Sequence, residues 1–423
     1  MAAGGSGGGT SNRGAAAAAA AAAASVLAVA AAGGAWWAYQ ARWRCQGGRG
    51  RGGWHAPNGG GGGGGYTPLP GPVDGVLGAI GNTPLIRIRS LSEATGCEVL
   101  AKAEFLNPGG SVKDRVAAAI VEEALAEGRL AAPGGLITEG TAGSTGIALA
   151  MVARALGCRC FVAMPDDAAA EKPQTLRALG AEVALLRPVS IVHPEHPVNV
   201  ARRRAAAEGP GAVFADQFEN LANMRAHLQT GREIWEQTRG RVDAFVSGAG
   251  TGGTIAGVSA LLKGRDPRVR IFLIDPPGSS LYNKVTRGVL YTREEAEGTR
   301  LRNPFDTITE GVGLNRLTAN FADALPRVDG AFRGSDREAV EMAAHLLRAD
   351  GLFVGSSAAM NCVGAVKAAR ALGPGHTVVT LLCDGGQRHL SKFHSPEYLA
   401  AAGLTPAAGG ADPGGSLAFV GDP

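Results

Sequence analysis

Apolar and polar positions change register repeatedly along the chain, and the changes define its elements. Short apolar runs rich in Val, Ile, Leu and Phe lie at 99–105, 136–139, 160–164, 182–186, 242–246, 269–274, 351–354 and 377–382. Runs of this length, bounded by Gly, Pro, Asn or Asp, read as strands. Between them, apolar residues recur at three- and four-residue spacing at 112–127, 147–156, 172–179, 201–208, 255–262, 336–349 and 361–372. That spacing gives helices with one buried face. Strand and helix alternate, which predicts an α/β layered fold of mainly parallel sheets flanked by helices. The run Ile80-Gly81-Asn82-Thr83-Pro84-Leu85 predicts a turn leading into a further strand.

The pattern fails at both ends. Residues 1–72 hold glycine runs and ten consecutive alanines, Ala15 to Ala24. Such a composition buries too little apolar surface to fold alone. Within this arm, 15–39 carries no charge over 25 residues, enough to cross a bilayer, and ends on Trp36, Trp37 and Tyr39 before Arg42 and Arg44. The arm is read as a membrane anchor or an organelle-targeting segment, mitochondrial and at the outer membrane first. A plain extension on a cytoplasmic enzyme is the alternative. The body spans 73–403 as two lobes with a boundary near 222, and 404–423 returns to Gly, Pro and Ala as a disordered tail.

Charge changes this picture little. Residues 1–73 carry five arginines and no acid, and removing those five from 41 basic residues leaves 36 against 37 acidic ones. A near-neutral body gives no footprint for nucleic acid. Six cysteines scattered over 423 residues suit buried thiols in a reducing compartment rather than a disulfide framework. His193-Pro194-Glu195-His196 offers metal-ligand residue types, but its prolines oppose a helix that would align them, and the run reads as a solvated loop.

Three glycine-rich segments carry candidate chemistry. In the first, Asn107-Pro108-Gly109-Gly110-Ser111 leads into Lys113 at a helix start. Burial and the positive end of the helix dipole both disfavour the ammonium there. Lys113 is therefore a candidate Schiff-base lysine, against the plain reading of a surface lysine paired with Asp114 or Glu122. The second is Thr141-Ala142-Gly143-Ser144-Thr145-Gly146, between a strand and a helix, whose amides and hydroxyls suit an anion. The third is Gly248-Ala249-Gly250-Thr251-Gly252-Gly253-Thr254. It fits the dinucleotide fingerprint, with Asp275 at about the distance of a ribose-binding acid. The same amides serve any phosphate, so a phosphate site and an NAD(P) oxidoreductase both remain open from this segment alone.

Taken together and in order, Ile80–Leu85, Asn107–Arg115, Thr141–Gly146, Gly250–Thr254 and Gly355–Ser357 make residues 73–400 resemble the cysteine synthase/cystathionine β-synthase family of fold-type II pyridoxal phosphate enzymes. The arm and the second loop are similar to a membrane-anchored, mitochondrial-type subgroup. The resemblance implies that Lys113 holds pyridoxal 5'-phosphate and removes the substrate α-proton. It implies that Gly250, Thr251, Gly252, Gly253 and Thr254 bind the cofactor phosphate. Ser357, or the adjacent Ser356, would face the pyridine nitrogen, and Ser144 would stand beside the ring. Thr141, Ala142, Gly143, Thr145 and Gln217 would bind the substrate. Ser144 and Ala142 depart from the family's usual Asn and Ser. The implied activity is β-replacement on O-acetylserine or a similar activated serine with sulfide, giving L-cysteine through an α-aminoacrylate. A cysteine desulfhydrase-type elimination and a non-catalytic relative are the alternatives. A homodimer and no metal are also implied.

Overall fold

The computed structural model describes Met1 and residues 71–292, 307–407 and 417–423. The candidate span 15–39 lies outside the described residues. Among the described residues there are ten strands: β1 Leu85–Arg87, β2 Glu98–Ala103, β3 Leu136–Gly140, β4 Arg159–Pro165, β5 Glu182–Leu186, β6 Ala212–Phe214, β7 Ala244–Ser247, β8 Arg270–Asp275, β9 Gly330–Arg333 and β10 Thr377–Leu382. They form a larger sheet of order β1-β2-β10-β7-β8-β9 and a smaller one of order β5-β4-β3-β6. The pairs are parallel except β1 with β2. Strands such as β3 are buried along their whole length, as helices on both faces require. The strands of the smaller sheet are contiguous in sequence. The chain thus leaves the larger sheet after β2 and returns to it at β7, and residue 222 lies near the second of these crossings.

The helix Lys113–Ala126 begins at the seam between two cores. Val112 packs with Phe245, Ile255 and Leu381 under the larger sheet. Val116, Ile120 and Val121 pack with Ile147, Leu149 and Val162 against the smaller one. Each such side chain contributes roughly 1.5–3 kcal/mol of apolar burial. Those terms hold Lys113, between the two sets, where the lobes meet.

Several elements differ from the pattern-based reading, each for a local reason. Helices start earlier than their apolar residues, at Ser144, Pro197, Gly253 and Ser356, because their first turns are built of small and polar residues. The run 351–354 is not a strand. Gly351 closes the preceding helix in the left-handed region at φ 70°, and Leu352 N donates back to Leu346 O. Only Val354 makes a bridge, to Gly385. The helix Ala222–Gln237 gives no apolar stripe because Asn223, His227, Thr230 and Glu233 occupy its buried face. Residues 417–423 are not a loose tail: Leu417 and Val420 are buried in the core, and Arg370 donates to their carbonyls at 2.8 and 2.6 Å.

Candidate functional site

Lys113 is the first residue of its helix, and its approach is fixed by a buried charge cluster. The Arg115 guanidinium donates to Glu104 at 2.8 and 2.9 Å and to Glu233 through Nη1 and Nη2 at 2.8 Å each. Lys102 pairs with Glu233 at 2.7 Å. Two cations and two anions, each with hydrogen-bond partners, make this burial tolerable. Asn107 donates to Glu104 Oε2 at 2.8 Å, and Asp114 accepts from Gly109 N at 2.5 Å. Asp114 is thus turned onto its own loop. Burial lowers the Lys113 pKa, only partly opposed by Cys383, Asp384 and Glu104. Lys113 keeps intermediate exposure, and the direction of the shift favours its neutral, nucleophilic form.

The glycine-rich loop 248–254 runs from β7 into the helix Gly253–Arg265. Gly252 has φ 88°, and a Cβ there would lie 2.6 Å from Phe321 Cβ. At this position the missing side chain admits protein packing behind the loop. Two hydroxyls are set from the helix Ala222–Gln237. Asn223 Nδ2 donates to Thr251 Oγ1 and to Gln217 O, both at 2.8 Å. His227 places Nε2 3.2 Å from Thr254 Oγ1 and Nδ1 3.1 Å from Thr230 Oγ1. Burial, then Lys113 and Arg115, push the His227 pKa well below its ordinary value, so the ring is neutral. Lys113 and the third loop therefore share a neighbour.

The loop 141–145 is joined to the same network. Thr145 Oγ1 donates to Gln217 Oε1 at 2.5 Å, and Gly143 N donates to Thr141 Oγ1 at 3.2 Å. Glu139 accepts from Gly140 N and Gln217 N; burial, chiefly, raises its pKa to about 8. Ser144 Oγ accepts from Arg388 at 3.4 Å. Ala142 carries no side-chain donor. On the far side, Ser356 Oγ is occupied by Glu310 N at 3.0 Å, whereas Ser357 contacts the Cys383 thiol, itself within electrostatic reach of Lys113. Burial raises that thiol to about 11, so it stays protonated.

Gln217 and Asn223 thus link the second segment to the third, and His227 and Cys383 are electrostatic neighbours of Lys113. Asn223, His227, Lys172, Glu310, Cys383 and Arg388 were not assigned roles from the sequence; the signals were the turn at 308–313 and the glycine-containing run 383–388 that ends the last strand. Two other candidates fall away from the site. Asp275 Oδ2 accepts from Tyr282 N at 2.7 Å, which ties the carboxylate to its own turn. His193 Nδ1 and His196 Nδ1 accept from Glu195 N and Val198 N, as local caps. No group of three or more metal-ligating residues occurs among the described residues.

A two-lobed α/β enzyme with a lysine at a helix start and two glycine-rich strand-to-helix loops is the class this arrangement defines. The profile described as "Pyridoxal-phosphate dependent enzyme" matches residues 76–384. Cysteine synthase 2 of Schizosaccharomyces pombe is 53% identical over 342 residues, covering 79% of this chain and 87% of that protein. Cysteine synthase 2 of Neurospora crassa is 54% identical over 332 residues, covering 76% and 73%. The crystal structure of an O-ureido-L-serine synthase superposes with a TM-score of 0.67 at 31% identity, covering 76% of this chain and 95% of that one. An O-acetylserine-dependent cystathionine β-synthase from Helicobacter pylori gives 0.65 at 32%, covering 75% and 97%. The chain belongs to the pyridoxal-phosphate-dependent enzymes, of the cysteine synthase/cystathionine β-synthase kind.

The residues present fit that cofactor. Asn223 must face Gln217 O with its NH2, since a carbonyl only accepts, so Thr251 Oγ1 accepts and its own proton points elsewhere. A free hydroxyl donor beside a helix N-terminus suits a phosphate.

Proposed function

We propose that this chain forms L-cysteine from O-acetylserine, or a similarly activated serine, and sulfide. The observation that carries the reading is Lys113 at a helix start, with the buried His227 that faces Thr254 of the glycine-rich loop and the Cys383 thiol as its electrostatic neighbours. Bound there, pyridoxal phosphate supplies an electron sink for loss of the α-proton and of the β-leaving group. Lys113 Nζ holds the cofactor and takes the α-proton; burial raises its neutral fraction at working pH. Thr251 and Thr254, with the amides of Gly250, Gly252 and Gly253, hold the phosphate. Ser357 offers a neutral hydroxyl to the ring nitrogen, which leaves that nitrogen unprotonated. Thr141, Ala142, Gly143 and Thr145 receive the substrate carboxylate. Gln217 Oε1 accepts from Thr145 and the Gln217 side-chain amide bonds the Glu139 carboxyl, so Gln217 holds the loop in place from beneath. Ser144, held by Arg388, faces the ring side of the site.

The test is a substrate panel on the full chain. Cysteine should form from O-acetylserine plus sulfide far faster than sulfide is released from cysteine alone. Lys113→Ala should abolish both, and borohydride reduction should no longer fix the cofactor on the peptide holding residue 113. Faster breakdown of cysteine would replace the synthase with a desulfhydrase. Retained activity in Lys113→Ala would end the proposal. The uncharged span 15–39 supports a role for the arm in attachment to an organelle membrane, mitochondrial first, which fractionation of the full chain tests. A homodimer is the family's assembly, checked by light scattering.

A further inference from the structure

Lys172 is buried, 3% exposed, on the short helix Glu171–Ala178 of the smaller lobe. Its stem lies across the carboxylate loop: a Cβ on Gly143 would fall 2.4 Å from Lys172 Cδ and 3.0 Å from Cγ. Gly143 also has φ 140°, outside the range of ordinary side chains. The Lys172 ammonium pairs with Glu310 Oε2. Glu310 is built into the larger lobe, where its N–H donates to Ser356 Oγ, next to Ser357. Burial would raise the Glu310 pKa, but Lys172 first and then His389 outweigh it and hold the carboxyl below its ordinary value.

The same seam carries further bonds, first within the larger lobe and then across to the smaller one. Glu310 Oε1 stands 3.4 Å from Lys392, and His389 Nδ1 stands 3.7 Å from Glu310 Oε2. Lys392 also donates to Asp167 O at 3.0 Å. Ser391 Oγ accepts from Ala170 N at 3.0 Å and donates to Glu171 at 2.8 Å. Residues 167–172 are thus docked on 310 and 391–392, and among them Lys172 lies directly against the loop at Gly143.

We propose that Lys172 is a positioning residue: with its ammonium anchored on Glu310, its stem clamps the Thr141–Thr145 loop in the carboxylate-receiving position. The ion pair then contributes chiefly to capture of the amino-acid substrate, because it sets where the loop rests before the substrate arrives. It touches neither the amine of Lys113 nor the phosphate-binding hydroxyls. The inference rests on the reading of that loop given above.

The experiment compares the full chain with Lys172→Met, which keeps the stem and removes the charge, and with Glu310→Gln, which breaks the pair from the other lobe. Each should raise KM for O-acetylserine about tenfold, with kcat within about twofold and cofactor absorbance unchanged. Amide hydrogen exchange in the peptide covering 141–146 should quicken in both. The double variant should be no worse than either single one, since the second change removes nothing further. Lys172→Arg should restore most of the KM. Unchanged KM and exchange, or fully additive effects, would overturn the inference. Should Lys172→Met not fold, Glu310→Gln decides alone on the same readouts. A wild-type chain that made no cysteine would instead sink the functional reading, while exchange would still report whether the clamp exists.

Discussion

At the scale of single residues, the site is a set of hydroxyl protons aimed by neighbours that do not touch substrate. Neutral His227 carries one N–H. With that proton on Nε2, Thr254 Oγ1 accepts and its own proton is left for the phosphate, while Nδ1 accepts from Thr230. The nitrogen spectrum of the loaded chain should therefore show His227 as the Nε2–H tautomer; the opposite tautomer would show that Thr254 spends its proton on the ring. Asn223→Ala should weaken cofactor binding about tenfold, roughly 1.4 kcal/mol, by letting the Thr251 hydroxyl turn. A fluorescence titration with pyridoxal phosphate measures it, and unchanged affinity would remove Asn223 from this role. Ser357 entered through the family resemblance; Lys113 and the loop threonines were marked in the chain by glycine-rich turns and helix starts. Their supports were not: an Asn, a His and a Glu on a helix carry no local signature, and only tertiary proximity reveals what they hold.

At the scale of elements, the helix Ala222–Gln237 connects the three loops. Asn223 reaches Thr251 and Gln217, His227 reaches Thr254, and Glu233 binds Arg115 two residues beyond Lys113. Pattern reading passed over this helix because its inward face is polar, whereas its apolar neighbours, such as 377–382, were placed to the residue. Glu233→Gln should expose how much the element relies on that face. Arg115 and Lys102 would lose their shared carboxylate while remaining buried, a loss of about 3–5 kcal/mol. Urea unfolding of the full chain should show it as a lower midpoint at unchanged slope, and a midpoint near wild type would mean that Glu104 compensates. Very short strands, β6 and β9, escaped the sequence for a simpler reason: three or four residues are too few to show a period.

Across the whole molecule, buried acids set the response to pH. Burial, chiefly, raises Asp114 and Asp275 to about 7 and Glu139 to about 8. The folded chain holds these protons where the unfolded chain has released them, so their contribution is present below about pH 4 and lost as pH rises through 7–8. Glu233 and Asp384 are opposite: burial alone would raise them, yet Arg115 and Lys102, and His389, hold them at about 2. Their contribution is present above about pH 4 and lost as pH falls toward 2. At constant cofactor loading, the melting temperature should peak near pH 4, decline along an alkaline limb from there to about pH 8, and level off above it. Asp275→Asn, which can keep the bond from Tyr282 N, should flatten the alkaline limb. A melting temperature that rises from pH 6 to 9 would contradict this assignment.

The threading of the sheets has a mechanical consequence. Because the polypeptide passes into the four-stranded sheet once, after β2, and out of it once, before β7, two covalent connections pin that sheet to the six-stranded one. A mutation that stiffens either pin should slow both entry of the amino acid and departure of product, however far it lies from the chemistry.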